Sequence, residues 1–343
     1  MMRALQVLDS RKLAVVDLPE PPAPAPGEVQ IRIGAVALNH IDVWGWRGMA
    51  FAKRKLPIVV GVEAAGTVDA IGEGVTTLAQ GDTVAIFGAE TCGVCAPCRA
   101  GRDNFCENVR GIRGFHVDGL ARERVNLAAR LAVKAPAGVG VVAAACAPVT
   151  YGTPEHMLFD NAKLGAGQTI LVQAGGSGVG TAAIQLAKAA GATVITTVGS
   201  PDKIEAVRAL GADVVFSHRE TAVADAVGDA TGGRGVDAVI DTTGGPLFAD
   251  HLAAMAPDGR LVTCGAHAGE VVPLDIVKLF QHGHRILGFR VATPDEIRTS
   301  LAMALDGAIT VPVDRTFPTA EAAAAHAYMD ERQHVGKIVL VSE

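Results

Sequence analysis

Thr169-Ile170-Leu171-Val172-Gln173-Ala174-Gly175-Gly176-Ser177-Gly178-Val179-Gly180 runs on into Thr181-Ala182-Ala183-Ile184-Gln185-Leu186-Ala187. An apolar, partly β-branched run meets a glycine cluster, and the cluster opens an alanine-rich stretch. The pattern predicts strand, tight turn and helix. Bare glycines let a diphosphate approach the N–H groups at the helix N-terminus, where the helix dipole favours an anion. The spacing Gly175-x-Ser177-Gly178-x-Gly180 is a variant of G-x-G-x-x-G with Ser at the second position. A glycine cluster alone also makes ordinary turns. Here a strand precedes it, a helix follows, and a second strand, Thr193–Val198, closes a unit of roughly thirty residues. A dinucleotide site is therefore expected, with a plain structural turn as the alternative.

Outward from this turn, residues 150–290 alternate strand and helix. Strands are expected at Thr169–Ala174, Thr193–Val198, Asp213–Phe216, Val236–Asp241, Arg260–Cys264 and Arg285–Val291. Helices near 179–190, 202–210, 221–230, 246–256 and 274–281 separate them. Short buried strands in this rhythm imply an α/β fold, a doubly wound parallel sheet covered on both faces. Ligands then sit at the carboxyl ends of the strands. The loops Gly175–Gly180, Gly199–Lys203, Thr242–Gly245 and Gly265–Gly269 supply candidate cofactor contacts: Gly175, Ser177, Gly178, Val179, Gly180, Gly199, Ser200, Lys203, Thr243 and Gly265. Arg219, Phe289 and Thr153 complete the set. Thr153, before Pro154, is expected to cap a helix.

Residues 1–149 read as short strands broken by turns, clearest at 13–16, 29–33, 66–70 and 83–87, and so as an antiparallel β domain. The segment 291–343, ending in the strand Lys337–Val341, is expected to rejoin it. Within the first half, Cys92, Cys95, Cys98 and Cys106 sit at C-x2-C-x2-C-x7-C. Four thiolates on one tight lobe, residues 90–108, can converge on a single tetrahedral ion and leave no position open for substrate. One structural zinc is expected. Free thiols, disulfides or an iron–sulfur cluster are the alternatives. Cys146 and Cys264 lie in apolar runs and read as small core residues.

The chain has 343 residues, a net charge of −6 and few aromatics, which excludes a global basic field for nucleic acid or an anionic membrane. No apolar run reaches the length of about eighteen residues that a membrane span needs. The first residues do not read as a signal sequence, and the clustered cysteines suit a reducing cytoplasm. The strand before Gly199 lacks the terminal carboxylate that would hold ribose hydroxyls. Ser200 and Lys203, with Arg219 as helper, are instead placed for a 2′-phosphate, so NADPH is expected over NADH.

Asn39-His40-Ile41-Asp42 with Arg47-Gly48, Gly61-Val62-Glu63-Ala64-Ala65-Gly66, the cysteine lobe, the glycine turn and Gly336-Lys337-Ile338-Val339-Leu340 together resemble the medium-chain dehydrogenase/reductases, the superfamily of zinc alcohol dehydrogenases and quinone reductases. The resemblance covers nearly the whole chain. It implies a GroES-like antiparallel β-barrel catalytic domain plus a Rossmann domain. It also implies three catalytic-zinc ligands where this chain carries Asn39, Val62 and Val149. Two of these are aliphatic, so no catalytic zinc is expected. The zinc-free quinone and enone reductases of the superfamily share the Asn-x-x-Asp pattern of Asn39 and Asp42. The implied reaction is hydride transfer from NADPH to a quinone or α,β-unsaturated carbonyl. Alternatives are an alcohol or aldehyde oxidoreductase and a non-catalytic NADPH-binding protein.

Four residues are the candidates for catalysis. Asn39 would position substrate or nicotinamide, or else cap a turn. His40 would bind diphosphate or relay a proton, or else lie on the surface. Asp42 would hold a water or orient a neighbour, or else cap the next helix. Tyr151 would donate to the developing oxyanion, or else pack in the core. Glu63 reads as a buried structural acid, and Trp44 and Trp46 as walls of an apolar cleft or as packing. The last sheet strand is an open edge that could pair with its twin, so a homodimer is expected, with a tetramer possible.

Overall fold

A computed structural model describes residues 1–48 and 54–342. The chain divides into two compact units. One comprises Met1–Gly152, Val291–Gly307 and Val313–Glu343, and the other Thr153–Arg290 with Ala308–Pro312.

In the first unit, strands β1 (Met2–Asp9), β2 (Lys12–Leu18), β3 (Glu28–Ala37), β4 (Ile58–Val59), β5 (Glu63–Ile71), β6 (Thr83–Ile86), β7 (Arg124–Ala128) and β8 (Ala132–Lys134) follow in order. β1 pairs antiparallel with β2 and β4 as a small separate sheet. The long strand β3 alternates buried Val29, Ile31 and Ile33 with more exposed neighbours, as a strand with one covered face must. It pairs antiparallel with β5 and β7. Helix α1 (His40–Arg47) follows β3 after two residues.

The second unit carries β9 (Thr169–Val172), β10 (Thr193–Val198), β11 (Val214–Ser217), β12 (Val236–Asp241), β13 (Met255–Thr263) and β14 (Arg285–Gly288). All pair in parallel, in the order β11-β10-β9-β12-β13-β14. The order reverses between β9 and β12, so loops at their carboxyl ends flank a switch-point crevice. Leu171, Ile195, Val239 and Leu261 from four strands pack with Val223, Val227 and Phe248 from the covering helices. Helix α2 (Gly178–Ala189) follows β9, and helix α3 (Ile276–Gln281) precedes β14, which ends at Gly288 rather than Val291. Ala308–Pro312 belongs to this unit; Thr310 N–H donates to Gln185 Oε1 at 2.6 Å, and Gln185 Nε2 donates back to Thr310 O at 2.9 Å.

The chain then returns to the first unit with β15 (Val313–Pro318) and β16 (Lys337–Val341), which pair in parallel while β16 runs antiparallel to β3. β15 went unread in the sequence because Asp314, Arg315 and Thr316 make it polar and exposed. The expected cap at Thr153 is corrected. Helical backbone already runs through Ala147–Tyr151 and Gly152 (φ −61, ψ −34), so Thr153 lies inside a helical stretch that continues to Asn161. No helix among the described residues is long and apolar enough to cross a membrane.

Candidate active site

The turn after β9 is held by side chains of β10. Thr197 Oγ1 accepts Ala174 N–H at 3.0 Å and donates to Gln173 Oε1 at 2.7 Å, while Gly175 N–H reaches Thr197 O at 2.8 Å. A Cβ on Gly175 would lie 2.2 Å from Thr196 Oγ1, and one on Gly180 would lie 2.2 Å from Ala174 O, so only glycine lets the turn close. Ala174 takes a left-handed conformation (φ 57), the kind of local strain that ligand clamps hold. Ser177 is the N-cap of α2, and its Oγ accepts Gly180 N–H at 3.0 Å. Helix geometry leaves Gly178 and Val179 N–H without intrahelical acceptors. Two backbone donors and the Ser177 hydroxyl proton thus stand at the positive end of a twelve-residue helix.

The other expected cofactor contacts separate into groups. A Cβ on Gly199 would have only His218 Cε1 within 4 Å, at 3.9 Å, so open space remains where an acidic side chain would have stood. The Ser200 hydroxyl binds Asp202 and holds that carboxyl below the usual range, which commits Ser200 locally. Arg219 is exposed. Thr243 turns inward; its N–H and hydroxyl both donate to Asp241 Oδ1, at 3.1 and 3.3 Å. Gly265 serves close loop approach, because a Cβ there would be 2.0 Å from Thr242 O. The Phe289 ring meets His156 edge-on at 5.4 Å.

Behind these loops is a buried polar network. Asp241, fully buried, also accepts Gly244 N–H at 3.1 Å and Thr263 Oγ1–H at 2.8 Å. His251 Nε2 lies 3.1 Å from Gln173 Oε1. Its Nδ1 is 3.7 Å from Asp241, yet burial pushes His251 below the ordinary histidine range, so the ring is neutral and the contact is no ion pair. Burial, reinforced by Asp241, pushes the Cys264 thiol up to about 12 and keeps it inert. An acid at the carboxyl end of the strand Val236–Asp241, next to the loop Thr242–Gly245, was the sequence signal for this network.

In the first unit, Asn39 and Asp42 come together with Glu63. Glu63 Oε1 accepts N–H from Val149 and Thr150, both at 2.6 Å. Its Oε2 accepts Thr150 Oγ1–H at 2.9 Å, Asn39 Nδ2–H at 2.9 Å and the Lys337 ammonium at 3.2 Å. Lys337 also donates to Leu38 O at 2.5 Å and Asn39 Oδ1 at 3.0 Å. Asn39 Nδ2 gives its second proton to Ala37 O at 3.1 Å. Both protons of the Asn39 amide are thus donated within this cluster, and its Oδ1 accepts from Lys337, so Asn39 helps to hold the cluster together. Asp42 is the third residue of α1. Its oxygens accept Asn39 N–H at 2.9 Å and Gly61 N–H at 3.2 Å, and burial pushes its carboxyl up to about 6. Val62 is buried. Tyr151 is also buried, in the core of this unit, whereas His40, the first residue of α1, is half-buried. Trp46 is core packing with Arg11 over its ring, and Trp44 is half-buried.

The four lobe cysteines are free of disulfides, and their sulfurs all lie within 4.8 Å of one another. Cys106 Sγ is 3.6 Å from Cys92 Sγ and 4.0 Å from Cys95 Sγ. Four sulfurs around a tetrahedral ion at about 2.3 Å would be separated by about 3.8 Å, so this donor set fits a closed four-thiolate site. Arg130 braces the lobe through Asp103 at 3.1 Å, and Thr91 Oγ1 donates to the same carboxylate at 2.9 Å.

A parallel sheet with a glycine turn at its switch point and a β domain with a buried acid–lysine cluster define a two-domain α/β protein of the dinucleotide-binding class. The alcohol dehydrogenase GroES-like domain matches residues 25–137, and the zinc-binding dehydrogenase family matches residues 178–306. A quinone oxidoreductase of Pseudomonas aeruginosa is 31% identical, with 94% of this chain and 93% of that one covered. A 2-haloacrylate reductase of a Burkholderia species is 29% identical, with 94% and 92% covered. A solved NAD-dependent alcohol dehydrogenase superposes with a TM-score of 0.93 at 38% identity, covering 99% of each chain. The mycocerosic acid synthase-like polyketide synthase of Mycolicibacterium smegmatis is 32% identical; the match takes in 92% of this chain but only 14% of that protein's length. The chain belongs to the medium-chain dehydrogenase/reductase superfamily, with a GroES-like domain and a Rossmann domain.

Proposed function

We propose that the chain is an NADPH-dependent reductase of quinones or α,β-unsaturated carbonyls that works without a catalytic zinc and carries one structural zinc on Cys92, Cys95, Cys98 and Cys106. The observation that carries this reading is the Asn39–Glu63–Lys337 cluster. Val62 and Val149 offer no metal donor, both Asn39 amide protons are taken, and an ammonium sits beside Glu63. A catalytic zinc needs three protein ligands. Acceptors that delocalise charge onto an oxygen held by hydrogen bonds need that Lewis acid less than simple alcohols do. The haloacrylate reductase, by its name, acts on an activated C=C bond, which supports the same class.

When bound, the reduced nicotinamide supplies a hydride to the β-carbon of the acceptor, and a proton completes the reduction. The chain's part is to hold and to protonate. Gly178 and Val179 N–H and the Ser177 hydroxyl bind the diphosphate. Asn39 and Asp42 fix the first turn of α1, and with it His40, the candidate proton relay. Tyr151 is the candidate donor to the oxyanion. A dimer formed through the open edge β14 completes the proposal.

A second reading, an alcohol or aldehyde oxidoreductase using NADH, is favoured by the NAD-dependent alcohol dehydrogenase likeness and by Asp202, a carboxylate four residues after β10. Turnover of 1,4-quinones, enones, aldehydes and alcohols with each cofactor separates the two. Faster aldehyde or alcohol turnover than enone or quinone turnover would sink the first reading. Tight NADPH binding without any turnover would favour a non-catalytic binding protein.

A further inference from the structure

The carboxyl end of β10 carries a feature beyond the residues already assigned to the cofactor. Val198 pairs with Ser217 in parallel register, so Gly199 and His218 leave the sheet side by side. His218 N–H donates to Val198 O at 3.2 Å, which fixes the histidine backbone. The ring edge faces the place where a side chain at 199 would be, with Cε1 3.9 Å from that Cβ position. The ring is half-buried, and its Nδ1 is enclosed with no hydrogen-bond partner among the described residues. The imidazole therefore stands at the second-strand end of the cradle, where a ribose 2′ substituent reaches in any dinucleotide held by Gly178 and Val179.

We propose that His218 reads the 2′ position of the cofactor ribose and makes the preference for NADPH over NADH increase as pH falls. The proposal rests on the reading of the Gly175–Gly180 turn as a dinucleotide site. The charged group beside the ring is Arg219, its neighbour along the chain; the titratable His251 of the helix Phe248–Ala253 interacts with the ring electrostatically and is pushed below the ordinary histidine range by burial. Lys203 and Asp202 follow on the segment after β10. Burial and Arg219 push His218 below the ordinary histidine range, so the free ring is neutral near neutral pH. A phosphate dianion draws a proton onto such a ring, because an opposite charge favours the imidazolium. A bare 2′-hydroxyl exerts no such pull.

The test is the Kd of NADPH and of NADH, read by cofactor fluorescence for the full chain and for His218→Asn and His218→Phe. Between about pH 8.5 and about pH 6.5, the NADH-to-NADPH ratio of Kd values should rise roughly tenfold in the native chain, as expected for one charged hydrogen bond. It should stay nearly flat in both variants, while their thermal unfolding midpoint, the control for folding, matches that of the native chain. The phosphate's own ionisation is common to all three proteins and cancels in the comparison. An equal rise in the variants overturns the role of His218 and leaves the NADPH reading standing. NADH bound tighter than NADPH at every pH overturns the 2′-phosphate site. No binding of either cofactor overturns the dinucleotide reading and the proposal with it.

Discussion

Lys337 Nζ lies 3.2 Å from Glu63 Oε2, in a pair whose side chains are 3% and 0% exposed. The two residues are 274 positions apart, so the last strand of the chain is tied to β5 through charge as well as through β3. A buried ion pair contributes little against an apolar substitute for both partners, but breaking it from one side leaves an uncompensated charge. Lys337→Met should therefore cost about 3–5 kcal/mol in urea unfolding. Adding Glu63→Gln to that variant should recover part of the loss. A cost below about 1 kcal/mol for the single change would show that the four remaining donors on Glu63 suffice without the ammonium.

Asp42 makes a pH prediction. Its carboxyl, ordinarily at 3.8, is pushed up to about 6, first by burial and against the pull of the Asn39 and Gly61 N–H groups and Lys337. The folded chain holds this proton more tightly than the unfolded chain does. The contribution is thus fully present below about pH 4 and is lost as pH rises through about 6. Asp42→Asn removes the titration. Relative to the native chain, the variant should gain about 3 kcal/mol between pH 4 and pH 7, whatever its fixed packing cost. Stability curves that run parallel across this window would rule the shift out.

Much of this architecture is legible in the residues, and the limits have physical causes. The apolar β-branched runs at Thr193–Val198 and Val236–Asp241 are strands with those bounds, because buried parallel strands tolerate little else. The close approaches that require Gly175 and Gly180 follow from the same spacing that announces the turn. Lys337 was visible only as part of a terminal motif, and nothing local reveals a partner near the other end of the chain. Asn39 was legible as a replaced metal ligand but not as an amide with both protons taken, since its partners come from β3, β5 and β16. Thr153 failed as a cap because the tertiary fold begins the helix six residues earlier than Thr153-Pro154 suggests.

The lobe gives a prediction about metal. N–H groups of Val94 and Cys95 push the Cys92 thiol down to about 6, which favours the thiolate form that a metal binds. Elemental analysis should find one zinc per chain. Cys95→Ser should lose most of it, and amide exchange should rise across residues 90–113. Ordering of this lobe is coupled to an apparent binding energy on the order of 10–16 kcal/mol. Binding of NADPH, which depends on the other unit, should be unaffected. Full zinc occupancy in Cys95→Ser, or zinc-free native protein with a well-protected lobe, would contradict the assignment.

The open edge of the parallel sheet gives the last prediction. Among the described residues β14 pairs only with β13, and α3, which leads into it, buries none of its residues. Val271, Ile276, Val277 and Phe280 are 92%, 59%, 52% and 67% exposed, a concentration of large apolar side chains that a lone chain in water does not favour. A second copy related by a two-fold axis would cover this face and continue the sheet through β14 without any new element. Val277→Asp with Phe280→Asp should convert a dimer into monomers in sedimentation equilibrium, with little loss of fold because neither side chain packs in the core. The same pair of changes should leave zinc content and cofactor affinity intact. A dimer that survives both charges would place the self-association elsewhere, and a native chain that is monomeric at all concentrations would overturn the dimer.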